Sequence, residues 1–382
     1  MSLTLKDVYS LDNNKFNLTL YAGKSGLHNV LTWVYLMEDI DNTDFLRGNE
    51  LIITTGIQIT DSKKLFAVIQ KLKQYHCSGL ILNVGRYLQP ENLSEEIIAF
   101  CNQNNFPLFT MPWNIYISDV MQDFCLQLSR QIQQEKILVA AFEKSLNSPQ
   151  YQDSYLPTLI QEGYLLDDKY RVITLEVWDT NLQLQNISSF FPEVYYFPYR
   201  GLCIFILKKT TAASPDKFLD FLLKQISHSD SPFHLGSGST VSALTQLRDS
   251  FLQSLFCLSV SKSTKNNTAI FDRLGVYRLL YKVSDIDFLK QFAEEYLGVV
   301  IQYDAAHHAD YMKTLHTYLL HDCSIKETAN IMITHRNTIN YRIRKIRELL
   351  HMDFELQENK FQLLLAFYIR EYLDYAEDMK SQ

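Results

Sequence analysis

A chain of 382 residues is too long for one ordinary core and has room for two or three domains. Its hydrophobic content of 47% and aromatic content of 13% exclude a disordered chain. With a formal net charge of −7, any nucleic-acid contact must rest on basic residues gathered in one segment rather than on the surface as a whole.

The first ~130 residues alternate short β-rich runs with helical patterns, which predicts an α/β unit with a largely parallel sheet. Val30 to Leu36, Leu51 to Thr55, Gly79 to Val84 and Pro107 to Met111 read as strands. Between them, Ser62 to Tyr75 and Leu93 to Asn102 carry apolar residues at helical spacing. From Ile117 to Leu146 one long amphipathic pattern predicts a connecting helix, equally compatible with a dimer seam and with a plain strut. Further on, Val172 to Val177, Val194 to Tyr199 and Leu202 to Leu207 read as strands, and Ser214 to Ile226 and Val241 to Val260 as helices. Ser261 to Asn267 reads as a polar loop, followed by helical patterns over Leu274 to Leu280 and Asp287 to Leu297. The expected division is 1–135, a connecting helix over 136–150, a middle domain over 151–300 and a C-terminal domain over 305–375.

Cys77, Cys101, Cys125, Cys203, Cys257 and Cys323 are scattered without a Cys-x-x-Cys pair and read as buried free thiols. His307, His308, His316 and His321 lack a completing carboxylate or thiol, so no metal and no cofactor is expected. The start, Met1 to Asp7, shows no basic segment followed by an apolar one, and the longest apolar run, Leu363 to Ile369, is far short of a membrane span. A cytoplasmic protein without membrane contact is the expectation.

The segment that carries chemistry runs from Ser324 to Leu350, two helical patterns separated by a very short turn, the spacing of a helix-turn-helix. Ser324 and Glu327 form a potential capping box, and Ile325, Thr328, Ala329 and Met332 a small packing face. Thr334 reads as the N-cap of the second helix, whose buried stripe is Ile339, Ile343, Ile346, Leu349 and Leu350. From His335 to Arg347 five Lys or Arg residues occur with no acid among them. Arg pairs with guanine and Asn with adenine in the major groove, which assigns base reading to Arg336, Asn337 and Asn340. Phosphate contacts fall to Thr338, Tyr341, Arg342, Arg344 and Lys345, beside His335, with Arg342 nearest the apolar stripe. Asn337 could instead order the helix start, and the whole segment could be a solvated basic face on an ordinary helical hairpin.

The run His335-Arg336-Asn337-Thr338-Ile339-Asn340-Tyr341-Arg342-Ile343 resembles the signature of the PucR-type regulators of purine catabolism and related pathways. Leu315 to Leu319 and Phe361 to Phe367 extend the likeness around it. Ala22 to Leu27, Trp33 to Glu38 and Arg47 to Gly56 resemble the regulatory domain of the same family. Leu235 to Gly238, Leu244 to Ser250, Leu255 and Leu258 are similar to its degenerate GGDEF-like domain. The resemblance implies a three-part α/β protein: an N-terminal α/β sensor, a ferredoxin-like α+β middle domain and an all-α helix-turn-helix domain. It also implies a homodimer or larger even-numbered oligomer on double-stranded operator DNA, an activator tuned by a small metabolite of a pathway such as purine or amino-acid catabolism. Ile339 and Asn340 depart from the commoner family pattern, which leaves the operator sequence open.

Other functions compete for the same residues. Gly23-Lys24-Ser25 is no P-loop, because Leu18 stands where its first glycine is required. Gly236-Ser237-Gly238 is too short for a dinucleotide fingerprint, Val241 holding the place of the last glycine. No G-G-D-E-F occurs, so the middle domain reads as a scaffold rather than an enzyme, with cyclic-dinucleotide binding as an alternative. A protein-interaction module whose basic helix docks on an acidic partner is the other alternative. Polar residues at the C-terminal ends of parallel strands place a candidate effector pocket at Glu38, Thr54, Thr55, Gly56, Asn83 and Arg86, with Arg47.

Overall fold

The computed structural model describes residues 3–12, 15–39, 43–89, 93–177, 187–227, 231–264 and 266–380. The chain divides into two compact units, Met1–Ala140 and Ala141–Gln382.

The first unit contains α1 (Leu5–Asp12), β1 (Thr19–Ala22), β2 (Trp33–Leu36), β3 (Glu50–Thr54), α2 (Ser62–Gln74), β4 (Gly79–Val84), α3 (Glu95–Gln103), β5 (Leu108–Pro112) and most of α4 (Ile117–Asn147). Its sheet runs β1-β5-β4-β3-β2. Strands β2 to β5 are parallel, and β1 closes the edge antiparallel to β5. β3 and β4 are nearly continuous apolar runs because both faces are covered. Ile52, Leu80 and Leu82 pack with Leu65, Ile69, Leu72 and Ile97 of α2 and α3. The alternate residues Leu51, Ile53 and Ile81 pack with Leu5 and Val8 of α1 and Phe124 of α4. The Asp61 carboxylate caps α2 by accepting from the Lys64 N–H at 2.9 Å. The expected parallel strands are present, but β2 starts only at Trp33, because Val30 makes a lone bridge with Thr4.

The second unit begins with the end of α4 and continues through α5 (Leu156–Gln161), β6 (Tyr170–Val177), α6 (Ile187–Phe190), β7 (Val194–Tyr199), β8 (Leu202–Lys208), α7 (Lys209–Ala213), α8 (Asp216–Ser227), β9 (Phe233–Ser237), α9 (Leu247–Ser263) and β10 (Thr268–Ile270). The sheet order β10-β9-β6-β8-β7 contains the ferredoxin-like arrangement, with β10 added parallel to β9. Gly236 lets α9 lie directly on β9, since a Cβ there would come within 2.0 Å of the Ser254 carbonyl oxygen. α9 starts at Leu247 rather than Val241, which instead bridges to Tyr170, and it runs to Ser263, into the expected loop. Lys265 of that loop lies outside the described residues.

Five helical elements and one short one follow: α10 (Tyr277–Leu280), α11 (Ile286–His307), α12 (Tyr311–Leu320), α13 (Ile325–Ile331), α14 (Arg336–Leu350) and α15 (Gln357–Lys380). The expected domain boundary at 300–305 falls inside α11. Phe256, Cys257 and Val260 of α9 share one core with Leu289 and Ala293 of α11 and Ile369, Tyr372 and Tyr375 of α15. The middle sheet and the C-terminal helices are therefore packed into one body. Among the described residues no helix is long and apolar enough to cross a membrane.

Candidate nucleic-acid interface and strand-end cluster

The local chain geometry around the helix-turn-helix explains where its side chains point. α13 is capped by Ser324, whose hydroxyl accepts from the Glu327 N–H at 3.2 Å. The reciprocal half of the expected capping box is replaced: the Ser324 N–H donates to the His321 carbonyl at 2.9 Å. Asp322 and Cys323, both left-handed with φ of 52° and 59°, fold the chain back to make that bond. At the other end of α13, the Thr334 N–H donates to the Ala329 carbonyl (3.0 Å) and the Ile333 N–H to the Asn330 carbonyl (3.2 Å), with Ile333 left-handed at φ 49°. This is a Schellman closure. It occupies Thr334, whose hydroxyl donates to the Met332 carbonyl at 3.0 Å. The N-cap of α14 is therefore His335, one residue later than expected, with its Nδ1 accepting from the Asn337 N–H at 3.3 Å.

Ile339, Ile343 and Ile346 are buried, with Leu349 and Leu350 packed partly against the same core. His335, Arg336, Asn337, Thr338, Asn340, Tyr341 and Arg344 are exposed on the remaining surface of α14. Its basic side chains differ in their engagement. Arg344 and Lys345 lie 3.3 and 3.4 Å from the Glu348 carboxylate, and their hydrogen bonds, Lys345 first, hold its pKa below the usual carboxylate value. Arg347 sits over the Phe354 ring and 3.5 Å from Glu355. Arg342 is half-buried against α12. Among the described residues Arg336 forms no ion pair and stands at the first turn of the helix.

Several residues of the strand-end cluster of the first unit brace one another. Glu38 accepts from the Thr55 N–H (2.9 Å) and the Thr55 hydroxyl (2.7 Å), so both its oxygens are engaged. Buried Thr54 accepts from the Gly56 N–H at 3.0 Å. Gly56 is left-handed at φ 74°, and a Cβ there would meet Leu88. The buried Asn83 amide donates to the Pro112 carbonyl at 3.1 Å. Arg86 projects outward over Tyr87 and Trp113, at 5.3 and 5.4 Å from their ring centres. Arg47 does not join this group, because it precedes β3 whereas Thr54 ends it. Its N–H donates instead to buried Glu50 at 2.7 Å. Tyr87 and Trp113 were absent from the expected set; Trp113, just after β5, is a strand-end residue by the same positional rule. In the middle domain the buried Arg171 guanidinium is fully occupied by the carbonyls of Ala212 (3.0 Å) and Gly238 (2.8 Å), the Thr240 hydroxyl (2.7 Å) and Asp272 (2.9 Å).

Fold and site define a multidomain α/β protein with a C-terminal helix-turn-helix. The chain carries PucR-type domains: residues 7–128 match the purine catabolism regulatory protein-like family, 163–260 a GGDEF-like domain and 311–369 the PucR C-terminal helix-turn-helix domain. Similar relatives from Bacillus subtilis include a proline-responsive transcriptional activator, PutR, 26% identical over 42% of this chain and 40% of that protein. A purine catabolism regulatory protein is 33% identical over 28% of this chain and 20% of its own length. A DNA-binding transcriptional activator, AdeR, is 25% identical over 26% of this chain and 24% of its own. The chain thus aligns with two fifths or less of each of these relatives' lengths.

Proposed function

We propose that the chain is a sequence-specific DNA-binding transcriptional regulator of a metabolic pathway, acting in the cytoplasm as a homodimer or larger even-numbered oligomer. The observation that carries this reading is the exposed N-terminal face of α14, where Arg336, Asn337 and Asn340 stand free of the buried Ile339, Ile343 and Ile346 stripe in an otherwise acidic chain. A first-turn Arg and two Asn side chains supply the donors and acceptors that distinguish bases in the major groove. Thr338, Tyr341, Arg344 and Lys345 then face the phosphates, with Glu348 steadying the last two in the free protein. The relatives named as activators support activation as the direction of control, and a small metabolite as the signal. Its binding place in this reading is the strand-end cluster of the first unit, with Arg86 and its two aromatic rings as the outward element and Glu38 and Thr55 as the brace.

The test is duplex selection from a random-sequence pool by the full chain, followed by binding to the selected and scrambled duplexes. The selected duplex should win by ~10³ or more, with affinity falling as salt rises. Arg336→Ala should cost ~1–3 kcal/mol and relax one base position, whereas Lys345→Ala should weaken all duplexes alike. An Arg336→Ala protein with unchanged affinity and preference would remove Arg336 from the reading face. Binding without sequence preference would favour an acidic-partner module instead.

A further inference from the structure

Among the basic side chains of α14, Arg342 turns toward α12 rather than outward. The Arg342 side chain is 22% exposed, and its Nη1 donates to the Thr314 hydroxyl of α12 at 3.1 Å. Thr314 is fully buried and donates its own proton to the Asp310 carbonyl at 2.7 Å, so the hydroxyl is committed both ways. Arg342 Nη2 lies 4.0 Å from the Asp310 carboxylate. α12 is itself fixed on α11: the Asp304 carboxylate accepts from the N–H groups of Tyr311 (2.9 Å) and Met312 (2.8 Å), and Tyr303 stacks on Tyr311 with ring centres 5.0 Å apart. A continuous polar and aromatic path therefore runs from α11 through the start of α12 to the middle of α14.

A guanidinium held in this way is aimed at α12. Its planar fork bonds a buried hydroxyl on one side and faces a carboxylate on the other, a directional contact between α14 and α12. The buried Ile339, Ile343 and Ile346 set which face of α14 is inward, and the Arg342 contact adds a directional constraint beside them.

We propose that Arg342 is a positioning residue, with Thr314 and Asp310 as its seat, that sets the roll of α14 so that Arg336, Asn337 and Asn340 meet base edges, and that it neutralises no phosphate. This rests on the DNA-binding reading above. Rotation matters because a bidentate contact is directional: a misplaced Arg or Asn loses discrimination before it loses general attraction to the duplex.

The salt dependence of binding separates the possibilities. A phosphate contact contributes about 0.9 to the slope of log affinity against log salt, and a positioning residue contributes none. With the full-length chain, the selected duplex and a scrambled one, Arg342→Ala should leave the slope unchanged and cut the preference for the selected duplex by about tenfold. Thr314→Val, which keeps the Arg342 charge, should reproduce most of that loss, and the double variant should add little to Arg342→Ala. Arg342→Lys should not rescue, because an ammonium lacks the fork.

A slope reduced by about 0.9 with preference intact, and a silent Thr314→Val, would make Arg342 a phosphate contact and overturn the proposal. Variants with lower melting temperatures whose folded fraction keeps both slope and preference would overturn it too, leaving only a packing role. If the unaltered chain enriches no duplex, the DNA-binding reading fails, and this inference with it.

Discussion

Ile333 illustrates a residue whose conformation its sequence neighbourhood conceals. It closes α13 at φ 49° and is 94% exposed, so no packing offsets the left-handed strain of a β-branched residue. Asn occupies this region with little cost and without the extra backbone entropy that Gly brings to the unfolded chain. Ile333→Asn should therefore stabilise the fold by about 0.5–1 kcal/mol, read from the urea midpoint at constant m-value. A lowered midpoint would show that the left-handed closure is not under strain. The same residue displaced the N-cap from Thr334 to His335, because propensity favours Thr and nothing in an Ile announces a Schellman closure. The exposed basic and amide side chains of α14 were readable from residue type and 3.6-residue spacing. The seat of Arg342 was not, since Asp310 and Thr314 lie a helix away and the contact exists only once α12 and α14 pack. Of the cysteines whose scatter suggests buried free thiols, Cys77, Cys101 and Cys257 are buried but Cys125, Cys203 and Cys323 only partly so, and burial pushes the thiol pKa of Cys77 and Cys101 up to about 12.

At the level of elements, Gly236 marks both a constraint and a blind spot. A Cβ there would fall 2.0 Å from the Ser254 carbonyl oxygen and 2.5 Å from the Leu258 nitrogen, both backbone atoms of α9 that cannot rotate away. Gly236→Ala must push α9 off the sheet, and a loss of about 3 kcal/mol or more is expected, at the top of the range for overpacked cores. Retained stability in urea would mean that α9 can lift from β9 freely. The close approach is also why β9 went unread as a strand: a glycine in a run flanked by His234 and Ser237 erases the β-rich signal. β10 has only three residues and β1 is a partly exposed edge, so neither carries enough pattern to stand out. β4 lies between β3 and β5 and is buried along nearly its whole length, and its apolar run showed it from Gly79 to Val84. Long periodic segments such as α4 and α14 were visible for the same reason, whereas the onset of α9 was blurred by Val241 and Leu244, apolar residues serving a bridge and a short turn.

For the molecule as a whole, the sequence suggests a middle domain and a reader in series, yet the second unit is one body. Helical periodicity is local and cannot reveal that Phe256 and Tyr375, more than a hundred residues apart, share a core. The Phe256 ring lies 5.4 Å from that of Tyr281, 5.5 Å from Tyr372 and 6.3 Å from Tyr375, so one α9 side chain ties α9 to α15. α15 in turn places Leu363, Ala366 and Phe367 in the core that holds Ile339, Ile343 and Ile346 of α14. Stability of α14 should then depend on the sheet domain that shares these cores. Phe256→Ala, which empties a fully buried aromatic site, should cost ~3–5 kcal/mol. The loss should reach α12 to α14 as well as α9, because elements joined through continuous cores open together. Amide hydrogen exchange on the full chain is the measurement, with protection of Ile339, Ile343 and Ile346 falling in step with that of α9. If α14 keeps its protection while α9 loses it, the shared core does not couple the two, and α15 does not join α14 to α9 energetically.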